Sequence, residues 1–126
     1  MVSIMKNIYI LEDETGIRDA LQLLLSFENY EVRSFSTIEA FHERNKNEVP
    51  DLFILDVMMP DGLGTTVCNQ LKSDESTAHI PVMIMSAHAK NADVVKACNA
   101  DVFVSKPFDI DEVIEIIENL TKEVKA

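Results

Sequence analysis

Five strand-like segments alternate with five helix-like segments along the chain, and this alternation limits the possible folds more than any other feature. The strand-like segments are short, and the central one, residues 52–55, is apolar throughout. An apolar run without alternation is typical of a parallel strand that is covered on both faces. We therefore predict an α/β domain with a parallel sheet, helices on both faces and right-handed crossovers. The predicted strands are residues 7–11, 31–35, 52–55, 81–85 and 102–104.

The intervening segments carry apolar residues at helical spacing. Two of them open with capping-box patterns, in which Ser36 precedes Glu39 and Asp109 precedes Glu112. A small polar residue followed three positions later by an acid is a typical helix start. The predicted helices are residues 17–27, 36–46, 65–73, 91–98 and 109–122.

Length and charge narrow the classes of function. The 126 residues suit one domain, which we expect to span residues 1–126 with no output domain in this chain. The net charge of −11 argues against direct binding to nucleic acid or to an anionic membrane. No apolar run reaches the roughly 18 residues of a membrane span, and no signal peptide is apparent. We expect a cytoplasmic protein in which Cys68 and Cys98 are buried free thiols.

Charged and polar side chains follow the predicted strands where the strands end. Glu12 and Asp13 follow the first strand, Asp56 the third, Ser86 the fourth and Lys106 the fifth. Ligands of open α/β sheets bind at this edge. Each side chain alone could be a helix cap or a solvated group. Because separate crossovers bring them to one edge, we interpret them together as a site.

The chemistry of that site follows from the residue types. Three crowded carboxylates repel one another, which raises their pKa values, and a divalent cation relieves the repulsion. Ligands that are all oxygen suit Mg²⁺ better than Zn²⁺. Lys106 would then face an anion beside the metal, and a phosphoryl group fits these parts. Asp56 would be the nucleophile that forms an acyl phosphate.

Four short motifs resemble those of the receiver domain of two-component response regulators. The motifs are Leu-Glu-Asp-Glu at 11–14, Asp-Val-Met-Met-Pro-Asp-Gly at 56–62, Met-Ser-Ala at 85–87 and Ser-Lys-Pro-Phe at 105–108. The resemblance covers about residues 5–120. It implies a doubly wound, flavodoxin-like sheet of five parallel strands in the order 2-1-3-4-5, with five flanking helices.

The resemblance also implies a role for each acid. Asp56 is expected to be the phosphoacceptor. Asp13 and Asp56 would bind Mg²⁺ directly, Glu12 through water and Met58 through its backbone carbonyl, with Mn²⁺ as an alternative ion.

Other positions match the family's switch residues. Ser86 is expected to be the hydroxyl that follows the phosphoryl group. Lys106 would pair with the phosphate and precede a cis peptide bond to Pro107. Phe103 stands where the family has a rotating aromatic residue, although plain core packing is the alternative.

Two positions are expected to tune the lifetime of the phosphoryl group. In this family the side chains at Met58 and His88 flank the water that would hydrolyse the acyl phosphate. An apolar methionine cannot orient that water, so we predict a moderately to long-lived phosphoryl group. His88 could orient the water, shield it, or be an exposed loop histidine. The stretch from Ser86 to Lys106 is about two residues shorter than the family's usual pattern, which leaves the partner and dimer modes open.

The expected function is that of a signalling switch rather than an enzyme, with only weak self-catalysed phosphorylation and dephosphorylation. The donor would be a histidine kinase or a histidine phosphotransfer protein. Phosphorylation would alter the face formed by helix 4, strand 5 and helix 5, which an unidentified downstream protein would read. We expect a monomer or weak homodimer, either standing alone or as part of a longer regulator.

Three alternatives fit less well. A phosphatase with an aspartyl nucleophile needs a second acid two residues after the nucleophile, where this chain has Met58. A flavodoxin-like mononucleotide binder needs a phosphate loop after strand one, where this chain has the acids 12–14. A degenerate receiver would lack a required residue, and none is missing.

Overall fold

The computed structural model describes residues 5–87 and 92–122. Its helices are α1 (Thr15–Phe27), α2 (Ile38–His42), α3 (Gly64–Ser73), α4 (Ala92–Ala97) and α5 (Ile110–Thr121). Its strands are β1 (Lys6–Leu11), β2 (Tyr30–Phe35), β3 (Leu52–Asp56), β4 (Met58–Met59), β5 (Gly62–Leu63), β6 (Val82–Ser86) and β7 (Val102–Ser105). None of these helices is long and apolar enough to cross a membrane.

The main sheet is parallel and has the order β2-β1-β3-β6-β7. This order is the predicted 2-1-3-4-5, because β4 and β5 form a separate antiparallel hairpin between the third and fourth strands. The doubly wound fold class is therefore confirmed. The hairpin was not predicted, since strands of two residues have no recognisable periodicity.

Side chains from the central strands point alternately into two cores. On one face, Phe53 and Leu55 pack in a cluster with residues of α2 and α3. On the other face, Leu52 and Ile54 pack with residues of α1 and α5. Every residue of β3 and β6 is buried, which explains why these strands lack polar alternation.

Two helix starts were predicted from capping boxes, and only one is confirmed. Asp109 caps α5 by accepting hydrogen bonds from the backbone N–H groups of Asp111 and Glu112. The prediction for α2 was wrong at both ends: Thr37, not Ser36, is the cap, and the helix ends at His42 rather than near residue 46.

Local side-chain contacts explain the early end of α2. Arg44 donates a hydrogen bond to the Phe41 carbonyl at 2.9 Å, and its guanidinium carbon lies 4.1 Å from the centre of the Phe41 ring. The side chain of Asn45 accepts a hydrogen bond from the N–H of Asn47. Such local bonds offer the backbone an alternative to helical bonding.

Helix α3 contacts the end of α4 and the chain that follows it. Asn69 donates a hydrogen bond to the Ala97 carbonyl at 2.7 Å, and Lys72 forms an ion pair with Asp101 at 2.9 Å. The expected free thiols are confirmed and buried, one on α3 and one after α4. Burial and contact with Cys98 raise the pKa of the Cys68 thiol to about 12, so it is a packing residue.

Candidate functional site

Three carboxylates meet at the carboxyl edge of the sheet. Glu12 and Asp13 follow β1, Asp56 ends the neighbouring strand β3, and one oxygen of each lies within 4.8 Å of the others. Glu12 and Asp56 are buried, with 3% and 8% of their surfaces exposed, whereas Asp13 is exposed. The cluster therefore has two enclosed acids and one acid that faces solvent.

Lys106 brings a positive charge to this cluster from the end of β7. Its Nζ lies 2.6 Å from Oε1 of Glu12 and 3.3 Å from Oδ2 of Asp56. The Lys106 backbone N–H donates to the Ser86 carbonyl at 3.0 Å, and the peptide bond to Pro107 is cis. The ammonium thus bridges the two enclosed acids.

The shared environment shifts two pKa values. Burial raises the pKa of the Glu12 carboxyl, and the charge of Asp56 adds to this rise, while the hydrogen bond from Lys106 opposes it. Burial alone would lower the pKa of the Lys106 ammonium. The hydrogen bond to Glu12 and the charge of Asp56 outweigh that effect, and the pKa of Lys106 is raised. Lys106 therefore stays charged at neutral pH.

Arg18 supports the acidic turn from α1. Its Nη1 donates hydrogen bonds to the carbonyls of Glu12 at 2.9 Å and Asp13 at 3.3 Å. The Glu14 N–H donates to Oε2 of Glu12 at 3.2 Å, which fixes that carboxylate from the other side. Sequence reasoning missed Arg18, and the only available signal was a cation on the first turns of the helix that follows the acids.

Gly64 allows the chain after the hairpin to pass close to Asp56. Its N–H donates to the Val57 carbonyl at 2.8 Å, and a Cβ at this position would lie 1.8 Å from the Asp56 carbonyl oxygen. Only glycine fits such an approach. Met58, in the same loop, has 61% of its surface exposed.

The predicted switch residues lie on the neighbouring strands β6 and β7. Ser86 ends β6 with 1% of its surface exposed, next to Met85, which pairs with Asp56 in the sheet register. Phe103 is half-buried, packs against the core and lines a cavity of about 270 Å³ with residues of α5. His88 lies outside the described residues.

The site therefore gathers Glu12, Asp13, Asp56 and Lys106 as predicted, with Ser86 at the adjacent strand end. The donor set fits a hard divalent cation, because all three side chains offer carboxylate oxygens and Asp13 is open to solvent. Glu12, Asp13 and Asp56 could thus hold a divalent metal ion.

A 2-1-3-4-5 sheet with acids and a lysine at its carboxyl edge is the arrangement that the sequence motifs led us to expect of a receiver domain. The family model for the response regulator receiver domain matches residues 8–118. The chain belongs to this family, whose members are the receiver domains of two-component signalling switches.

The curated relatives of this chain are longer regulators. The chain is 32% identical over 120 residues to the DNA-binding dual master transcriptional regulator RpaA of Synechocystis sp., covering 94% of this chain and 50% of RpaA. It is 32% identical over 122 residues to the transcriptional regulatory protein CreB of Escherichia coli, covering 95% of this chain and 52% of CreB. The chain thus spans about half the length of these relatives.

Solved structures agree with the fold. The response regulator TrrA of Thermotoga maritima, in complex with Mg²⁺ and BeF, has a TM-score of 0.80 at 29% identity over 92% of this chain and 99% of TrrA. The receiver domain of a signal transduction histidine kinase from Syntrophus aciditrophicus has a TM-score of 0.85 at 26% identity, with 96% of both chains covered.

Proposed function

We propose that Asp56 accepts a phosphoryl group from a phosphohistidine of a histidine kinase or a histidine phosphotransfer protein, and that this modification switches the domain. The observation that carries the proposal is the position of Lys106, whose ammonium contacts the enclosed carboxylates of both Asp56 and Glu12. A fixed positive charge beside a nucleophilic carboxylate suits the transfer of an anionic group.

Each side chain has a distinct part in the transfer. A carboxylate oxygen of Asp56 attacks phosphorus in line, an O–P bond forms, the P–N bond to the donor imidazole breaks, and the imidazole leaves with the electron pair. The ammonium of Lys106 leaves one of its carboxylate partners and contacts a phosphoryl oxygen instead. In this position it stabilises the negative charge of the transition state. Glu12, Asp13, Asp56 and the Met58 carbonyl would hold Mg²⁺. The bound ion would neutralise the charge of the phosphoryl oxygens. The Mg²⁺–BeF complex of TrrA supports Mg²⁺ as the ion.

The signal would pass to the face formed by α4, β7 and α5. Ser86 turns its hydroxyl toward the new phosphoryl oxygens, and Phe103 changes its packing beside the cavity that it lines. The equilibrium between two packings of this face then shifts. Helix α4 suits such a change, since none of its six residues is buried.

The phosphoryl group is proposed to be moderately to long-lived. Met58 is largely exposed and has no group that could orient a hydrolytic water near Asp56. His88 is the second proposed tuning position. Its effect, by orientation or by shielding, would appear as a change in the decay rate of His88→Ala.

The chain is proposed to act as a receiver domain in the cytoplasm, as a monomer or weak homodimer. The net charge of −11 argues against direct contact with nucleic acid by this domain. RpaA is named as a DNA-binding regulator, but this chain covers only 50% of its length. DNA binding would therefore need a segment outside the region that this chain matches. The downstream partner is a protein that reads the switch face.

Intact mass spectrometry tests the acceptor. Wild type, Asp56→Asn and Asp51→Asn are incubated with acetyl phosphate or phosphoramidate and Mg²⁺, where Asp51 is an exposed aspartate just before β3 that serves as the control. A gain of about 80 Da in wild type and Asp51→Asn, but not in Asp56→Asn, is expected. No gain in folded wild type would contradict the proposal for small-molecule donors, and a kinase assay would then decide between a strict protein donor and a degenerate receiver. A decay within seconds would contradict the lifetime proposal.

A further inference from the structure

The β4–β5 hairpin is tied to α2 by a carboxylate that lies outside the acidic cluster. Oδ1 of Asp61 accepts a hydrogen bond from the Ile38 N–H at 3.0 Å, and Oδ2 accepts one from the Glu39 N–H at 2.9 Å. Both amides belong to the first turn of α2, where N–H groups have no partner within the helix. These two bonds lower the pKa of Asp61, so the carboxylate is charged near neutral pH.

A second contact at the same place is steric. Gly62 has a φ of +154°, and a Cβ there would lie 2.9 Å from Cδ1 of Ile38. The tip of the hairpin therefore rests against the first turn of α2 through both hydrogen bonds and close packing. We call the contact of Asp61 and Gly62 with Ile38 and Glu39 the hairpin clamp.

The hairpin lies between this clamp and the acceptor. Met58 pairs with Leu63, and Met59 pairs with Gly62, so the strand that follows Asp56 is joined to the strand that carries the clamp. Met59 also packs in the core, whereas Met58 is exposed. Residues 60–63 are exposed, which leaves the tip with little core packing to hold it. Among the described contacts, the hairpin clamp is thus the main one that holds residues 60–63 in place.

We propose that Asp61 is a positioning residue for the divalent cation: by anchoring the hairpin to α2, it holds the Met58 backbone carbonyl beside Asp56. The inference rests on the proposed function in taking that carbonyl as a metal ligand. A ligand carried on a loosened loop must be ordered when the metal binds, and this ordering weakens the affinity.

The test compares Asp61→Ala with Thr37→Ala. Thr37 caps the same helix by accepting a hydrogen bond from the Ala40 N–H at 3.0 Å, but among the described residues its side chain forms no hydrogen bond with the hairpin. Mg²⁺ dissociation constants are measured by NMR titration, and stability without Mg²⁺ is measured by urea unfolding. We expect Asp61→Ala to bind Mg²⁺ about tenfold more weakly than wild type. We expect Thr37→Ala to lose stability but keep the wild-type affinity, and Asp61→Asn, which keeps one acceptor oxygen, to be intermediate.

Three other outcomes would overturn the inference. Unchanged Mg²⁺ affinity in Asp61→Ala would show that the clamp does not position the ligand. An equal loss of affinity in Asp61→Ala and Thr37→Ala would assign the effect to the stability of α2 instead. No Mg²⁺ binding by folded wild type would overturn the proposed function together with this inference, whereas the first two outcomes leave the proposed function intact.

Discussion

At the scale of single residues, the resting site depends most on Lys106. Within residues 5–87 and 92–122, its ammonium alone forms ion pairs with Glu12 and Asp56, whose side chains are 4% and 10% exposed. Carboxylates that are removed from water need such a partner, and the loss of one member of a buried pair is costly. The lysine therefore stabilises the fold as well as serving the proposed chemistry.

Lys106→Met is expected to lower the free energy of unfolding by about 3 kcal/mol near neutral pH. Removal of Lys106 also takes away the hydrogen bond that opposes the rise in the pKa of Glu12, so that pKa rises further. The folded variant then holds a proton that the unfolded chain releases. The variant therefore becomes more stable as the pH falls through the raised pKa toward the ordinary value of 4.5. The difference in unfolding free energy between wild type and Lys106→Met should narrow on acidification.

Urea unfolding of the variant at about pH 7.5 and about pH 5 checks this expectation. Lys72→Met is the matched control, because Lys72 is 17% exposed and pairs with Asp101, away from the cluster. The expectation is contradicted if the loss of unfolding free energy in Lys106→Met is the same at both pH values. It is also contradicted if this loss narrows equally in Lys106→Met and Lys72→Met.

The sequence predicts these residues well for a physical reason. The carboxyl ends of parallel strands share one edge, so the acids after β1 and β3 and the lysine after β7 must converge whatever the details of the loops. Arg18 and Asp61 were missed, because each acts on backbone groups of another segment. Such contacts depend on loop conformation, which side-chain patterning does not encode.

At the scale of elements, Gly64 shows how closely α3 starts to Asp56, the proposed acceptor. Gly64→Ala is expected to lower the free energy of unfolding by about 2–3 kcal/mol, because its Cβ would fall 1.8 Å from the carbonyl oxygen of Asp56 and backbone must move. The displacement changes the position of the acceptor, so the gain of a phosphoryl group should also slow markedly.

Gly16→Ala is the control for this substitution, since a Cβ at Gly16 meets nothing within 4 Å. Alanine in the first turn of α1 should leave stability unchanged or slightly raised. Urea unfolding and the mass assay on both variants check the contrast. If Gly64→Ala has the wild-type stability and rate of phosphorylation, the loop accommodates the added methyl group without the expected loss.

Helix α2 marks the limit of prediction at this scale. Ser36 and Glu39 match a capping box, yet Thr37 is the cap and Asp61 binds the free amides of the first turn. The hairpin that binds these amides is distant in sequence, so the residues around Ser36 and Thr37 do not reveal it. Helix α5, whose cap has no such competitor among the described contacts, starts where the sequence predicts.

At the scale of the whole molecule, the strand order and the two cores follow from the pattern of apolar strands and amphipathic helices. Because of the net charge of −11 and the acidic cluster, we expect the stability of the domain to depend on cations. A ligand that binds only the folded state stabilises it, by about 2.7 kcal/mol at a hundredfold excess over the dissociation constant.

Mg²⁺ is accordingly expected to raise the melting temperature of wild type by several degrees near saturation. Asp13→Asn should lose most of this rise while melting near wild type without metal, because Asp13 is exposed. Melting is followed by circular dichroism, with NaCl at equal ionic strength to correct for screening of the net charge. The control variant is Asp19→Asn, an exposed aspartate on α1. An equal response in all three proteins would indicate only non-specific screening.

The ion pair between Glu12 and Lys106 joins positions that are 94 residues apart in the chain. A ribosome releases the acidic turn early and the lysine near the end of the domain, and the last strand must then dock before the two can meet. A chain that ends before Lys106 lacks the ammonium that pairs with Glu12 and Asp56 in the complete domain. Under the proposed function, the domain would become competent to accept a phosphoryl group only when it is nearly complete, so an unfinished copy would not compete for the donor.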